Sequence, residues 1–443
     1  MSSTFNLSRR SLLAGTMALG ASGTVPALAA PGAAPAPFVL GNVLLETGYD
    51  WQGDEVVGTR TARASLLIEQ GRIARIIATG DALPPGVPVR DGGGLLLLPS
   101  FRDMHIHLDK TFYGGPWVAP RARKNGIAGQ IARERTLLPQ MLPTLQDRAG
   151  LLVALLQRNG TTFARSQCNV DPVVGTQHVE LLRQTLDGCA ATFGHEIVAF
   201  PQHGFLSAHL EPIMRQAMAA GATHVGGIDP TTIDGGMERS IDTMLQIAVD
   251  THKSVDIHLH EPGATGIAAI RRIADAVDHT PTLRDRVTIS HAFSLMSLAD
   301  ADVANLADRM ANLGMAIASA VPFGGQIMPI PTLLRHGVRV YTGTDSVIDH
   351  WSVFGSGDVL EKAKLACQIY GWGDELAISQ SLKLATGGPT PLNAKGAQVW
   401  PMPGDPADMV LIPASCSAEA VARTPARRAV FYRGTLVAGS LAG

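Results

Sequence analysis

Two kinds of apolar pattern run along the chain, and they change over near residue 98 and again near residue 390. Between 38 and 97, the stretches FVLGNVLLETG, ASLLIEQGRIARIIATG and VRDGGGLLLLPS are separated by glycine-centred turns and predict short β-strands. The same style returns in ADMVLIPA and RRAVFYRGTLVAG near the end. Strand-rich ends around a long middle predict that residues 38–97 and 391–443 meet in one small β-sandwich domain. In the middle, 98–390, eight near-continuous apolar runs alternate with longer helical stretches. They are LLPSFRDMHIH, TTFARSQC, EIVAFPQ, THVGGID, SVDIHLH, VTISHA, MAIASAV and VRVYTGTD. Strands buried on both faces read as unbroken apolar runs, and eight of them separated by helices predict an α/β fold, a (β/α)8 TIM-like barrel. A doubly wound open sheet also alternates strand and helix, but the glycine-rich phosphate fingerprint after its first strand is missing.

Polar residues fall where the runs stop. His105 and His107 end the first strand, Gln202 the third, His258 and His260 the fifth, His291 the sixth and Asp345 the eighth. Side chains two apart on a strand share a face, so each H-x-H pair points one way. Barrel strand ends converge on one mouth, which turns these separated residues into a cluster. Singly, each has a plainer reading: a surface or core histidine, or for Asp345 a turn or capping residue. Together, three imidazoles and a carboxylate suit one divalent metal ion, Zn or Fe, with a position left for water. Such an ion lowers the pKa of bound water toward about 7 and makes a nucleophile for hydrolysis. Glu261, three residues after His258, stands where a carboxylate can carry a proton from that water to a leaving group. His258 and His260 both aim inward, which leaves open whether His260 lines the pocket or hydrogen-bonds behind it.

Composition narrows the partners. The chain has 443 residues, a net charge of −2 and no lysine or arginine run, which excludes the electrostatic footprint of a nucleic-acid binder and leaves a small molecule as the expected partner. Residues 1–29 have paired arginines, Arg9 and Arg10, then a small-residue apolar segment ending Ala27-Leu28-Ala29. That layout predicts a twin-arginine export signal with an A-x-A cleavage site, followed by a linker at 30–37. The expected partners therefore include the Tat export machinery, and the expected location is the periplasm. Beyond the signal there is no stretch of about eighteen apolar residues, so no stable membrane insertion is expected after its removal. Cys168, Cys189, Cys367 and Cys416 form no C-x-x-C pair and demand no disulfide. A homo-oligomer is allowed by the chain but not specified by it.

In the order HIHLDK, VAFPQ, VDIHLHE, VTISHAF and GTDS, the chain resembles the amidohydrolase superfamily, closest to its cytosine deaminase-like branch, which includes deaminases and N-alkylamine hydrolases of triazine-type rings. The resemblance implies one catalytic metal on His105, His107, His258 and Asp345, without a bridging carboxylated lysine. It implies that Glu261 protonates a ring nitrogen, that His291 and Asp345 help deprotonate the attacking water, and that Gln202 and Trp351 contact the substrate. Ser346 stands where cytosine deaminases have a second aspartate, and His203 where they have glutamate. Gln167 and Asn169 replace the branch's usual histidine and aspartate. Ser346 and His203 are thus expected to set which ring edge is paired, and cytosine itself is not the expected substrate. The expectation is a periplasmic metal-dependent hydrolase that removes an amino or alkylamino group from a nitrogen heterocycle. A cyclic amide or lactam hydrolase is the alternative within catalysis, and a non-catalytic periplasmic metal- or ligand-binding protein the alternative outside it.

Overall fold

The computed structural model describes residues 35–441 apart from 123, 322–324, 326 and 428, so the predicted export signal, with Arg9 and Arg10, lies outside the described residues. Five strands come first: β1 Phe38–Gln52, β2 Glu55–Glu69, β3 Arg72–Ala78, β4 Val89–Asp91 and β5 Leu96–Pro99. The eight predicted middle strands follow: β6 Phe101–Ile106, β7 Thr161–Asn169, β8 Gly194–Phe200, β9 His224–Ile228, β10 Ser254–Leu259, β11 Val287–His291, β12 Ala316–Ser319 and β13 Arg339–Thr342. Last come β14 Met409–Ile412, β15 Ala429–Tyr432 and β16 Thr435–Gly439.

The two chain ends build one mixed sheet in the order β16-β15-β14-β5-β1-β2-β3, with β4 also paired to β1. Gln70 and Gly71, both at positive φ, make the tight turn between β2 and β3. Its core is apolar and separate from the barrel's, with Phe38, Leu66, Ile73, Met409 and Phe431 at its centre.

The strands β6 to β13 lie side by side in sequence order and are parallel throughout. Every residue of β9, β11 and β12 is buried, as a strand covered by helices outside and by its partners inside must be. The helices present one apolar stripe to this ring. In the helix Gly263–His279, Ile267, Ile270, Ile273, Ala274 and Val277 are buried at helical spacing.

The ring closes beyond the end of β13. The amide of Asp345 donates to the carbonyl of His105 at 2.7 Å, and the amide of His107 donates to the carbonyl of Asp345 at 3.2 Å. Beside them, the Thr344 amide and hydroxyl donate to the buried carboxylate of Asp103, at 3.1 and 2.5 Å. Gly343 lets the two strands meet: a Cβ there would lie 2.3 Å from the His105 carbonyl oxygen and 2.5 Å from its nitrogen. Both are backbone atoms that cannot swing aside. Gly343→Ala should therefore lower the urea-unfolding free energy by about 1–3 kcal/mol, the usual cost of forcing atoms into a packed site. Gly373→Ala, whose nearest neighbour would be 4.0 Å away, is the control and should stay within about 0.5 kcal/mol. Equal unfolding curves for both variants would contradict this account of the closure.

Candidate metal centre

The closure brings the ends of the first and eighth barrel strands together, and their side chains with them. Ligand atoms of His105, His107 and Asp345 lie within 4.8 Å of one another, and so do those of His105, His258 and His291. All five residues are buried. Asp345 and His291 hold left-handed backbone, φ 60° and 68°, a conformation that costs a non-glycine residue about 1–3 kcal/mol and collects at functional sites. His291 does so as the last residue of β11, and Asp345 in the turn past β13.

Hydrogen bonds fix which nitrogens face the centre. The Nδ1 of His107 lies 3.1 Å from the carbonyl oxygen of Gln167, which can only accept, so Nδ1 carries the proton and Nε2 a lone pair. The Nδ1 of His105 lies 2.9 Å from the hydroxyl of Ser290. That hydroxyl donates its single proton to Asp256 at 2.6 Å, so it must accept from His105. Arg165 in turn donates to Asp256 at 3.1 Å. The Nε2 atoms of His105 and His107 then sit 3.6 and 3.3 Å from Oδ1 of Asp345, lone pair against lone pair. Ligands about 2.0–2.2 Å from a tetrahedral ion lie about 3.3–3.6 Å apart, so the spacing matches a shared cation. Neither nitrogen of buried His258 has a hydrogen-bond partner, and neither does Nε2 of His105. Leaving such groups unmet costs about 1–3 kcal/mol each, and a metal ion answers them.

Protonation states agree. Burial, then the neighbouring imidazoles, push His258 and His291 well below the ordinary histidine pKa. Burial and Lys110 lower His107. Burial would raise Asp345, but His105 and His107 hold it well below the usual carboxylate range. Neutral imidazoles around an ionised carboxylate are what a divalent cation requires.

A cavity of about 450 Å³ opens over this centre. His107, His258, His291 and Asp345 line it together with Gln202, Ser346 and Trp351, and Phe200, Ile228 and Ala320 supply apolar wall. His260 lines it too, its Nδ1 2.9 Å from Asp229 and its ring stacked on His291 at 4.6 Å, so the question left open by its spacing resolves to the pocket wall. His203 is not gathered in. It is buried beside a different cavity, with Ile131, Arg135 and Ile233. Glu261 does not line the main cavity. Its Oε1 accepts from the amides of Thr231 and Thr232, both at 2.7 Å, while the buried Oε2 has no hydrogen-bond partner.

Other site residues went unread in the sequence. Lys110, in HIHLDK, donates to Glu134 at 3.3 Å and to Asn169 and Gln202 at 3.2 Å each. Glu134, from the helix Gly126–Met141, also meets Nε2 of His350 and Nε1 of Trp351, each at 2.8 Å. Burial would raise Glu134, but Lys110 and His350 hold it well below the usual carboxylate range. The position of Lys110 three residues past His107 was the available signal. Nothing in the sequence pointed to Glu134.

A barrel with an imidazole and carboxylate metal centre at its mouth defines a class of metal-dependent hydrolases. Residues 136–442 match the model described as Amidohydrolase family, and the chain belongs to that family. It is a metal-dependent amidohydrolase acting on carbon–nitrogen bonds. It is 51% identical over 407 residues, 92% of this chain and 88% of the other, to Uncharacterized protein YahJ of Escherichia coli (strain K12). N-isopropylammelide isopropyl amidohydrolase of Pseudomonas sp. (strain ADP) is 26% identical over 286 residues, 63% of this chain and 70% of its own. The crystal structure of N-isopropylammelide isopropylaminohydrolase from Burkholderia multivorans ATCC 17616 is 31% identical, with a TM-score of 0.80 over 91% of this chain and 98% of its own.

Ser290 orients His105 without touching the centre, so Ser290→Ala should weaken metal affinity roughly 10- to 100-fold with an unchanged circular dichroism spectrum. Chelator competition measures this, and wild-type affinity in the variant would refute the tautomer assignment.

Proposed function

We propose that this protein hydrolyses the bond between a nitrogen heterocycle and an exocyclic amino or alkylamino group, in the periplasm, with one Zn²⁺ or Fe²⁺ per chain. The observation that carries the reading is the convergence of imidazole lone pairs and the Asp345 carboxylate beneath a cavity of about 450 Å³ walled by Phe200, Ile228 and Trp351, large enough for a small ring. The Pseudomonas and Burkholderia relatives, both named for action on N-isopropylammelide, support the substrate class.

The residues divide the work. His105, His107, His258 and Asp345 would hold the ion, with His291 against the same cluster. Such an ion, when bound, would supply Lewis acidity and lower the pKa of a water. Asp345 and His291 take the proton of the attacking water, and Glu261, next to His260 and anchored behind the cavity wall by the Thr231 and Thr232 amides, turns its Oε2 into the cavity to pass a proton to the ring nitrogen or the departing amine. Lys110 takes the Oε1 of Gln202, which turns the Gln202 amide N–H₂ toward the ring as a donor. Ser346 and Trp351 border the same space, and Trp351 is steadied by Glu134. Among the described residues no helix is long and apolar enough to cross a membrane.

Glu261→Gln should retain full metal content while kcat for amine release falls about 10²- to 10⁴-fold. Near-normal turnover would remove Glu261 from proton transfer, and ring opening without free amine would contradict the reaction class. The location has its own test. Replacing Arg9 and Arg10 together by lysine should shift the protein from the periplasmic to the cytoplasmic fraction, and unchanged fractionation would contradict export by the twin-arginine route.

A further inference from the structure

The cavity holds two lysines, and they are not equivalent. Lys110 has three N–H donors and spends all three, on Glu134, Asn169 and Gln202, with the Glu134 carboxylate balancing its charge. It has nothing left for a ligand. Lys362, on the helix Val359–Tyr370, lies half-buried in the opposite wall and donates once, to the backbone carbonyl of Ala320 at 2.6 Å. Among the described residues no carboxylate stands within ion-pair distance of it, which leaves two N–H groups uncommitted. Burial works against its charge, while Asp345, Asp103 and Glu361 work for it.

Topology sets where the two poles stand. Gln202 follows the third barrel strand, β8, and Ala320 follows the seventh, β12, so in a ring of eight they face each other across the mouth. A flat heterocycle with one edge on the Gln202 amide therefore offers its far edge to Lys362. Apart from Lys110 and Lys362, no lysine or arginine is among the described residues that line the cavity.

Resting on the reaction class above, we infer that Lys362 is a specificity-determining residue that selects heterocycles carrying an anionic ring oxygen on the edge opposite Gln202. An ammonium with two unspent donors recognises such an oxygen with charge-assisted hydrogen bonds, which are shorter and stronger than neutral ones. A ring with hydrogen at that position leaves the donors unmet, and the pocket discriminates against it.

Metal-loaded protein can be titrated calorimetrically with barbituric acid, a ring oxyanion at neutral pH, and with the neutral ring pyrimidin-4-one. The wild type should favour barbituric acid. Lys362→Met should lose roughly ten- to a hundredfold of that affinity and keep its affinity for the neutral ring. Lys362→Gln retains a donor for the Ala320 carbonyl without the charge, so it should behave like the methionine variant if recognition is ionic, with metal content unchanged in both. Equal binding of barbituric acid by wild type and variants, equal losses for both rings, or a wild type with no preference would overturn the assignment. Amine release from aminated rings is measured on the same samples. Its absence alongside Lys362-dependent oxyanion binding would overturn the proposed reaction while upholding Lys362.

Discussion

The hydrogen bond from the Asp345 amide to the His105 carbonyl is the constraint on which the rest of this molecule depends. It closes eight strands into a ring and also brings the one carboxylate of the metal centre beside two of its imidazoles. Closure and site are a single event, because the residues that make the last backbone pairing are the residues whose side chains would hold the ion. Gly343 makes the approach sterically feasible, and the left-handed turn at Asp345 aims the carboxylate inward. The strain of that turn is tolerated because backbone bonds on either side leave the residue no alternative.

Around the centre the barrel interior is organised as paired charge. Arg165, Asp256 and Ser290 form a chain that ends on His105, and Lys110 and Glu134 form a second group that ends on Gln202 and Trp351. Buried ion pairs contribute little net stability, since desolvation offsets much of their attraction. What they supply here is orientation: one chain fixes an imidazole tautomer, the other an amide and an indole. His105, Gln202 and Trp351 are thus held in place by buried polar residues behind them.

The parts legible in the sequence were those governed by strand periodicity. All eight barrel strands appear where the apolar runs stood, and alternation fixes the inward direction of His105 and His258, which lie within β6 and β10, while His107 and Asp345 stand just beyond strand ends. Past a strand's last residue the turn decides, and periodicity is silent. Gln202 and His203 are neighbours after β8, yet one lines the cavity and the other is turned beside a separate one. Glu134 and Lys362 were invisible for a related reason. Each arrives from a helix, and no local pattern marks one polar helical residue as facing a cavity instead of solvent.

X-ray absorption spectroscopy on the purified, metal-loaded protein addresses the central claim most directly. One first-row divalent ion per chain is expected, bound by nitrogen and oxygen ligands with several imidazoles, and it should be lost when Asp345 is replaced by alanine. Sulfur ligation, or an ion whose coordination is unchanged in the Asp345→Ala protein, would contradict the claim that closing the barrel assembles the metal centre.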